Sequence, residues 1–166
     1  LAAPDGLEAF INGEVDAMFY WFPFNEMGRQ ELGENVVQFS GKDLVPSSWV
    51  YVAKKEYIEE HPDIIESFLR AIVNAEEVYN QQPDTAFSHH AKYSGLEESI
   101  IESTYANMDY QITLDRALLL DMEYQAEWIS YNQYAAVETV PIFLDYLYLD
   151  GLLAVKPGSV KILTEE

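Results

Sequence analysis

Apolar positions recur along most of this chain at helical spacing, and the pattern is clearest after Pro62. Pro62 and Asp63 fit the first turn of a helix, and apolar residues then follow every three or four positions. These apolar residues are Ile65, Phe68, Leu69, Ile72, Ala75 and Tyr79. On the polar side, Glu66 and Arg70 form a favourably oriented i, i+4 pair worth about 0.3 kcal/mol. We predict a long amphipathic helix here.

The same criteria predict further helices, several of them bounded by Pro at the start or Gly at the end. They span residues 4–12, 23–32, 83–93, 96–107, 113–128 and 140–148. Gly13, Gly33 and Gly95 are expected to end three of them, and Gly151 the last.

Short apolar runs at residues 15–20, 35–39, 49–53 and 160–163 predict strands. The first run is apolar on both faces, which is typical of parallel sheets covered by helices. We therefore predict an α/β fold. Ligands of such folds bind beyond the carboxyl ends of the strands, which here means residues 20–24. Aromatic side chains at a strand end also serve as core, and that interpretation stays open.

Composition narrows the function. The 166 residues are 49% hydrophobic and form one domain of ordinary size, or parts of two. The net charge is −20, from 29 acidic residues against nine Lys plus Arg, which excludes nucleic-acid binding and disfavours an anionic membrane surface. Adjacent acids such as Glu76 with Glu77 and Glu97 with Glu98 are interpreted as solvated surface and not as a catalytic pair.

Candidate chemistry of other kinds is sparse. The chain has no Cys, which excludes disulfides, thiolate metal sites and a Cys nucleophile. His89 and His90 are neighbours that point apart on a helix, and His61 lies at a helix cap, so no metal site is expected. No phosphate-binding Gly-rich loop or serine-hydrolase turn is present, and neither an enzyme nor a cofactor is predicted. Because the chain lacks a signal peptide and an initiator Met, we expect a fragment or a processed form.

Several motifs together resemble a known family. They are GEVDA at 13–17 with WFPF at 21–24, YIEEHPD at 57–63 with FLRA at 68–71, QPDTA at 82–86, and GLL at 151–153 with KP at 156–157. These segments are similar to those of ABC-transporter solute-binding proteins, in the branch that carries alkanesulfonates, taurine, nitrate and thiamine-precursor pyrimidines.

The resemblance implies a two-lobed type II periplasmic-binding-protein fold, of which this chain is the helix-rich C-terminal half. Residues 1–40 would be the tail of the second α/β lobe, and residues 41–48 the hinge or crossing segment. Residues 49–166 would return into the first lobe and add the C-terminal helices. The N-terminal half of the first lobe, with its ligand loops, would be missing from this sequence.

The function that the resemblance implies is a non-enzymatic receptor that captures a small molecule by hinge closure and delivers it to an ABC permease. Its location would be periplasmic or extracellular, with lipoprotein anchoring left open, and its other partner would be the missing half or a second copy. One alternative is a truncated or stand-alone helical interaction domain without a ligand. A thiamine-pyrimidine biosynthetic enzyme is disfavoured, because its signature is rich in cysteine.

Candidate ligand-binding residues cluster at the end of the first predicted strand and at the predicted hinge. They are Asp16, Tyr20, Trp21, Phe22, Glu26, Ser47, Ser48 and Trp49. Trp21 would stack on a planar ligand, although a core role is equally open. Phe22 stands where the family often has an acidic residue, so Glu26, one helical turn on, is the substitute carboxylate.

Basic groups near the predicted site are few. Arg29, Lys42 and Arg70 are the nearest candidates for a sulfonate or nitrate, and Arg70 already has Glu66 as a helical partner. The density of aromatic residues at 19–24 and 49–51 therefore favours a neutral or aromatic ligand over an inorganic anion.

Overall fold

The computed structural model describes residues 2–39, 48–105, 108–132, 134 and 139–162. Regular structure in these ranges is almost entirely helical. The chain divides into two compact units, each built from two separate segments. The predicted crossing segment, residues 41–48, lies outside the described ranges except for Ser48.

Eight α-helices lie within the described residues. They are α1 (Ala3–Ile11), α2 (Phe24–Leu32), α3 (Lys55–Glu60), α4 (Pro62–Gln81), α5 (Pro83–Ser94), α6 (Glu98–Tyr105), α7 (Arg116–Tyr131) and α8 (Leu149–Val155). Short 3-10 turns cover Gly33–Asn35, Phe143–Tyr146 and Pro157–Ser159. Across the part of the chain that the structure describes, none of the helices combines the length and the apolar character needed to cross a bilayer.

Most of the predicted helices form, with ends displaced by a few residues. Helix α4 begins at Pro62, as its sequence signals indicate. Gly95 ends α5 in a left-handed conformation with φ of 74°, and its N–H donates to the Ala91 carbonyl oxygen at 2.9 Å. Glycine reaches this conformation without the steric cost that a Cβ would add. The local signals of these helices were therefore sufficient.

The helix predicted at residues 140–148 is wrong. Only Phe143–Tyr146 is helical there, as a 3-10 turn, and α8 begins afterwards at Leu149. Gly151, which we expected to end a helix, is buried inside α8. A Cβ at this position would lie 2.8 Å from Leu69 Cδ1 and 2.8 Å from the Tyr148 ring. Gly151 therefore allows a close approach of neighbouring side chains and does not act as a helix terminator.

The predicted strands do not form a sheet within the described residues. Residues 15–20, 36–39 and 49–53 are extended or bent and pair with no other described segment. The β-pairing that is present is a single parallel bridge between Leu114 and Val160. A strand needs a neighbour to receive its backbone hydrogen bonds, and apolar composition does not supply one. The helix-rich part of the fold prediction is confirmed, and its α/β sheet is not observed in these residues.

The first unit comprises Leu1–Asp43 and Val78–Tyr110. In it, α1 packs on α2, α2 on α6, and α5 on α6. The buried apolar side chains come from α1, α5 and α6: Leu7, Ala9, Ala86, Phe87, Ile100 and Ile101. Helices α1 and α2 approach closely because a Cβ on Gly28 would lie 3.3 Å from Leu7 Cδ1. Met18, in the segment between α1 and α2, lies against the same glycine, with its Cε 2.8 Å from that Cβ position.

The second unit comprises Leu44–Glu77 and Gln111–Glu166. Asp115 caps the start of α7 by accepting a hydrogen bond from the Leu118 N–H at 3.2 Å. The buried apolar residues here are Leu118, Leu152, Val160 and Ile162. Glu76 and Lys156 form an ion pair that links α4 to the residue after α8. This unit therefore combines a small apolar core with one sheltered charge pair.

Candidate functional site

The predicted aromatic cluster after residue 19 forms in the first unit. The Tyr20 ring meets Trp21 edge to face at 5.9 Å between centroids, and lies 6.3 Å from the Phe24 ring. Tyr20 is half-buried because its ring covers Gly6 on α1, and its hydroxyl donates to the Ala2 carbonyl oxygen at 3.5 Å. Trp21 stays 59% exposed. The indole of Trp21 is therefore open to solvent, and the half-buried ring of Tyr20 lies beside it.

The other residues predicted around this cluster are spread along the segment. Asp16 is exposed in a bend. Phe22 is half-buried, and its ring meets the His90 ring edge to face with 6.5 Å between the centroids. An open groove of about 210 Å³ borders the segment and is lined by Gly6, Val15, Ala17, Met18, Phe19 and Tyr20. Tyr20 is the predicted ligand residue that lines this groove.

Glu26 is buried on α2 and engaged by its own helix. The Arg29 guanidinium donates to both carboxylate oxygens, from Nε at 2.8 Å and from Nη2 at 2.5 Å, and Gln30 Nε2 donates at 3.2 Å. The hydrogen bond from Arg29 lowers the pKa of Glu26, and burial opposes this by raising it. Ser103 adds a further hydrogen bond that lowers the pKa. Glu26 and Arg29 thus neutralise each other.

Replacing Arg29 with Met will raise the pKa of Glu26, because the main stabilising donor is lost while the burial remains. Since the lowered pKa contributes stability above pH 4.5 that is lost as pH falls, the variant will also lose less stability on acidification. NMR titration of the Glu26 carboxyl carbon measures the shift directly. Arg70→Met, which breaks the exposed pair with Glu66, is the control and leaves this titration unchanged. An unchanged pKa in Arg29→Met contradicts the assignment.

The residues predicted at the hinge are described only in part. Ser47 and Lys42 lie outside the described residues. Ser48 and Trp49 are exposed and belong to the second unit, whereas residues 16–26 belong to the first. Next to them, the Tyr51 ring packs edge to face on Phe68 of α4 at 5.2 Å. The structure therefore brings Tyr20 and Trp21 together within the first unit, whereas Ser48 and Trp49 are described in the second.

A stack of tyrosine rings in the first unit was not predicted from the sequence. Tyr79, Tyr105 and Tyr110 lie nearly parallel, with centroids 4.4 Å apart for Tyr79 and Tyr110 and 5.4 Å apart for Tyr105 and Tyr110. The Tyr79 hydroxyl and His90 Nδ1 are hydrogen-bonded at 2.8 Å, and the Tyr105 hydroxyl donates to the Tyr79 carbonyl oxygen at 2.9 Å. Burial raises the pKa of Tyr79 and of Tyr110. The only sequence signal was Tyr79 on the apolar face of α4.

Glu76 contradicts its interpretation as solvated surface. It is buried, and Lys156 Nζ lies 2.6 Å and 2.7 Å from its two carboxylate oxygens. The Ile112 N–H adds a weaker donation at 3.4 Å. No group of three or more His, Cys, Asp or Glu side chains in the described ranges is placed to hold a metal ion.

Comparison with known proteins gives a family match and two distant relatives. The family model described as "NMT1/THI5 like" matches residues 3–86, about half of the chain. The "Taurine-binding periplasmic protein" of Escherichia coli (strain K12) is 26% identical over 94 residues, covering 51% of this chain and 27% of that protein. The "Putative aliphatic sulfonates-binding protein" of Bacillus subtilis (strain 168) is 26% identical over 110 residues, covering 66% and 33%. No solved structure matches.

The family match covers most of the motifs on which the resemblance was based. The chain spans about a third or less of the length of the curated relatives it matches. The matched range contains the motifs at 13–17, 21–24, 57–63 and 68–71, so the resemblance to this group of binding proteins is confirmed. The segments at 151–153 and 156–157 lie beyond the range that the family model covers. The chain belongs to the NMT1/THI5-like family.

Proposed function

We propose that this protein is the solute-binding subunit of an ABC importer, which captures a small organic molecule by hinge closure and delivers it to a membrane permease. Family membership and the functions for which the two relatives are named support the receptor role. The proposed position of the site rests on the exposure of Trp21. This side chain is 59% exposed, and its ring meets the half-buried Tyr20 ring edge to face. The receptor would act in the periplasm or at the cell surface.

The pairing of the basic candidates favours a planar, neutral ligand such as a pyrimidine. Arg29 is already bound by Glu26, and Arg70 is bound by Glu66 at 2.6 Å. A sulfonate or nitrate would have to displace a carboxylate from one of these guanidinium groups, whereas a planar ring needs only the free face of an aromatic side chain. An alkanesulfonate ligand, as the names of the relatives suggest, is the competing possibility.

The remaining candidates complete the proposal. Asp16 and Phe22 flank the aromatic cluster in the chain, and Ser48 and Trp49 stay in the proposed set as a hydroxyl and an aromatic ring. Ser47 belongs to the same proposed set. Glu26 can contact a ligand amine only by sharing the carboxylate that now holds Arg29. We therefore give Trp21 the leading role in binding.

Calorimetric titration with a substituted aminopyrimidine, taurine, an alkanesulfonate and nitrate tests this proposal. We expect the pyrimidine to bind best and Trp21→Ala to weaken it about tenfold, since one lost aromatic stack is worth about 1.4 kcal/mol. Tyr93→Ala, at an exposed aromatic position of α5, is the control and keeps full affinity. If taurine or the alkanesulfonate binds best, the ligand is a sulfonate and not a pyrimidine, and the receptor function still holds. Binding of none of these compounds would overturn the proposal that this chain itself holds the site.

A second candidate, an interaction domain without a ligand, is favoured by one observation. Large apolar side chains in the extended segments are open to solvent, with Phe19 at 96% and Phe39 at 91% exposure. Such side chains often belong to protein interfaces. Analytical ultracentrifugation over a range of concentrations distinguishes the candidates, because a self-associating domain becomes a dimer or larger while a free receptor sediments as a monomer.

A further inference from the structure

An aromatic groove runs along the second half of α7 in the second unit. Its volume is about 500 Å³, within the range of small-molecule sites. The lining residues are Tyr124, Glu127, Trp128, Ser130, Tyr131 and Val140. None of them belongs to the ligand-binding set proposed above, and nothing in the family match covers them, because that match ends at residue 86.

Helical spacing places the aromatic side chains of the groove on one face. Tyr124, Trp128 and Tyr131 follow each other at intervals of four and three residues, and Glu127 adjoins them on the same face. Trp128 is 51% exposed, so much of its indole is open to solvent. The groove thus combines three rings with one carboxylate.

The end of α7 that carries this face is held in place. The Trp128 ring stacks on the Tyr134 ring, with 5.3 Å between the centroids and an interplanar angle of 21°. Asn132 Nδ2 donates to the Trp128 carbonyl oxygen at 2.8 Å, and the Tyr134 N–H donates to the Ile129 carbonyl oxygen at 3.1 Å. A preordered ring loses little entropy on binding a ligand.

Three electrostatic features of the groove share one sign. Aromatic faces carry the negative part of the ring quadrupole and attract cations. Glu127 adds a carboxylate. The groove lies on the last turns of α7, the negative end of the helix dipole, and that last turn contains no basic residue to neutralise it. An anion is disfavoured by all three features, and a purely apolar ligand gains nothing from the carboxylate.

We propose that this groove binds a small organic cation of the quaternary ammonium class. The alkyl groups of such an ion contact the faces of Trp128, Tyr124 and Tyr131, while Glu127 balances its charge. A quaternary ammonium has no N–H to satisfy and is weakly hydrated, so aromatic faces compensate for its lost water better than they would for a primary ammonium. This site is separate from the proposed receptor function and does not depend on it.

Choline and its neutral isostere 3,3-dimethylbutan-1-ol provide the first test. The two have the same shape and differ in the charge of one central atom. Titration followed by tryptophan fluorescence and by calorimetry is expected to show choline binding at least tenfold more tightly than the alcohol. If choline and the alcohol bind with equal affinity, the groove recognises apolar surface and not positive charge, and the proposal is wrong. Absence of choline binding would also overturn it.

Variants assign the binding to the groove. Trp128→Leu keeps an apolar side chain but removes the ring, and we expect it to weaken choline binding at least tenfold. Glu127→Gln removes the charge with little change in shape and should weaken it several-fold. Glu123→Gln makes the same charge change on an exposed residue of α7 that does not line the groove, and it should have no effect. Equal losses in Glu127→Gln and Glu123→Gln would indicate general charge attraction and overturn the site.

A last variant separates this site from the proposed receptor site. Trp21→Ala should leave choline binding unchanged, and Trp128→Leu should leave binding of the receptor ligand unchanged. Loss of choline binding in Trp21→Ala would assign the cation to the first unit and contradict the groove. Failure of the pyrimidine and sulfonate titrations alone leaves the choline result standing.

Discussion

Replacing Lys156 with Met will lower the free energy of unfolding by about 3 kcal/mol, the low end of the cost of removing one partner from a buried ion pair, because Lys156 stays 30% exposed. Glu76 is buried, and the Lys156 ammonium contacts both of its carboxylate oxygens. In the variant, the hydrogen bond that the described residues still give this carboxylate is the long one from the Ile112 N–H at 3.4 Å. The ammonium also donates to the Ile112 carbonyl oxygen at 3.4 Å, so the variant leaves that group less well satisfied too.

Urea unfolding followed by circular dichroism measures this loss. The double variant Glu76→Gln with Lys156→Met should recover part of it, because the uncompensated buried charge is then absent. Arg70→Met is the control for a lost cation, since it breaks the exposed pair with Glu66 and should change stability by about 0.5 kcal/mol or less. If Lys156→Met is no more destabilising than Arg70→Met, the sheltered pair does not stabilise the unit.

Replacing Tyr79 with Ala will destabilise the first unit by about 3 kcal/mol, and replacing it with Phe by about 1 kcal/mol. Alanine removes a ring that stacks on Tyr110 at 4.4 Å and on Tyr105 at 6.0 Å. Phenylalanine keeps the stack and loses only the hydrogen bond to His90 Nδ1. The difference between the two variants therefore measures the stack itself. Similar losses in both would assign the stabilisation to the hydrogen bond.

The pH dependence provides an independent readout of the same stack. Because burial raises the pKa of Tyr79 and Tyr110 above 10.0, the folded unit holds these protons more tightly than the unfolded chain. Their contribution to stability is constant below pH 10 and is lost as pH rises through the raised pKa. Tyr79→Phe should flatten this alkaline loss, and Tyr93→Phe, at an exposed position, should not. Tyrosinate absorbance follows the titration, and an ordinary pKa for Tyr79 and Tyr110 would contradict the burial of the stack.

The helices of this protein could be predicted where their signals are local. Pro62 with Asp63 starts α4, and Gly95 ends α5, because first-turn chemistry and a left-handed terminus depend only on the residues concerned. Strands depend on a partner segment, which periodicity does not reveal, and residues 15–20 find none among the described ranges. Gly151 misled the prediction for a related reason, because its role depends on Leu69, far away in the sequence.

The site could be predicted only in part. Motifs alone identified the family and the aromatic segment that contains Tyr20 and Trp21, because both are properties of contiguous residues. The engagement of Glu26 by Arg29 was not foreseen, although the two are three residues apart on one helix face and their spacing allows the pair. The α7 groove was predicted as an amphipathic helix but not as a groove, since Val140 lies on a different segment.

By itself, the sequence determined the helical periodicity, the strongly acidic charge, and the short motifs that place the chain in its family. Each of these depends on composition or on residues a few positions apart. Tertiary structure alone decided that Glu76 is buried against Lys156, and that Tyr79, Tyr105 and Tyr110 stack. The reason is physical: burial and ring stacking depend on distances between segments that are far apart in the chain, and those distances exist only once the helices have packed.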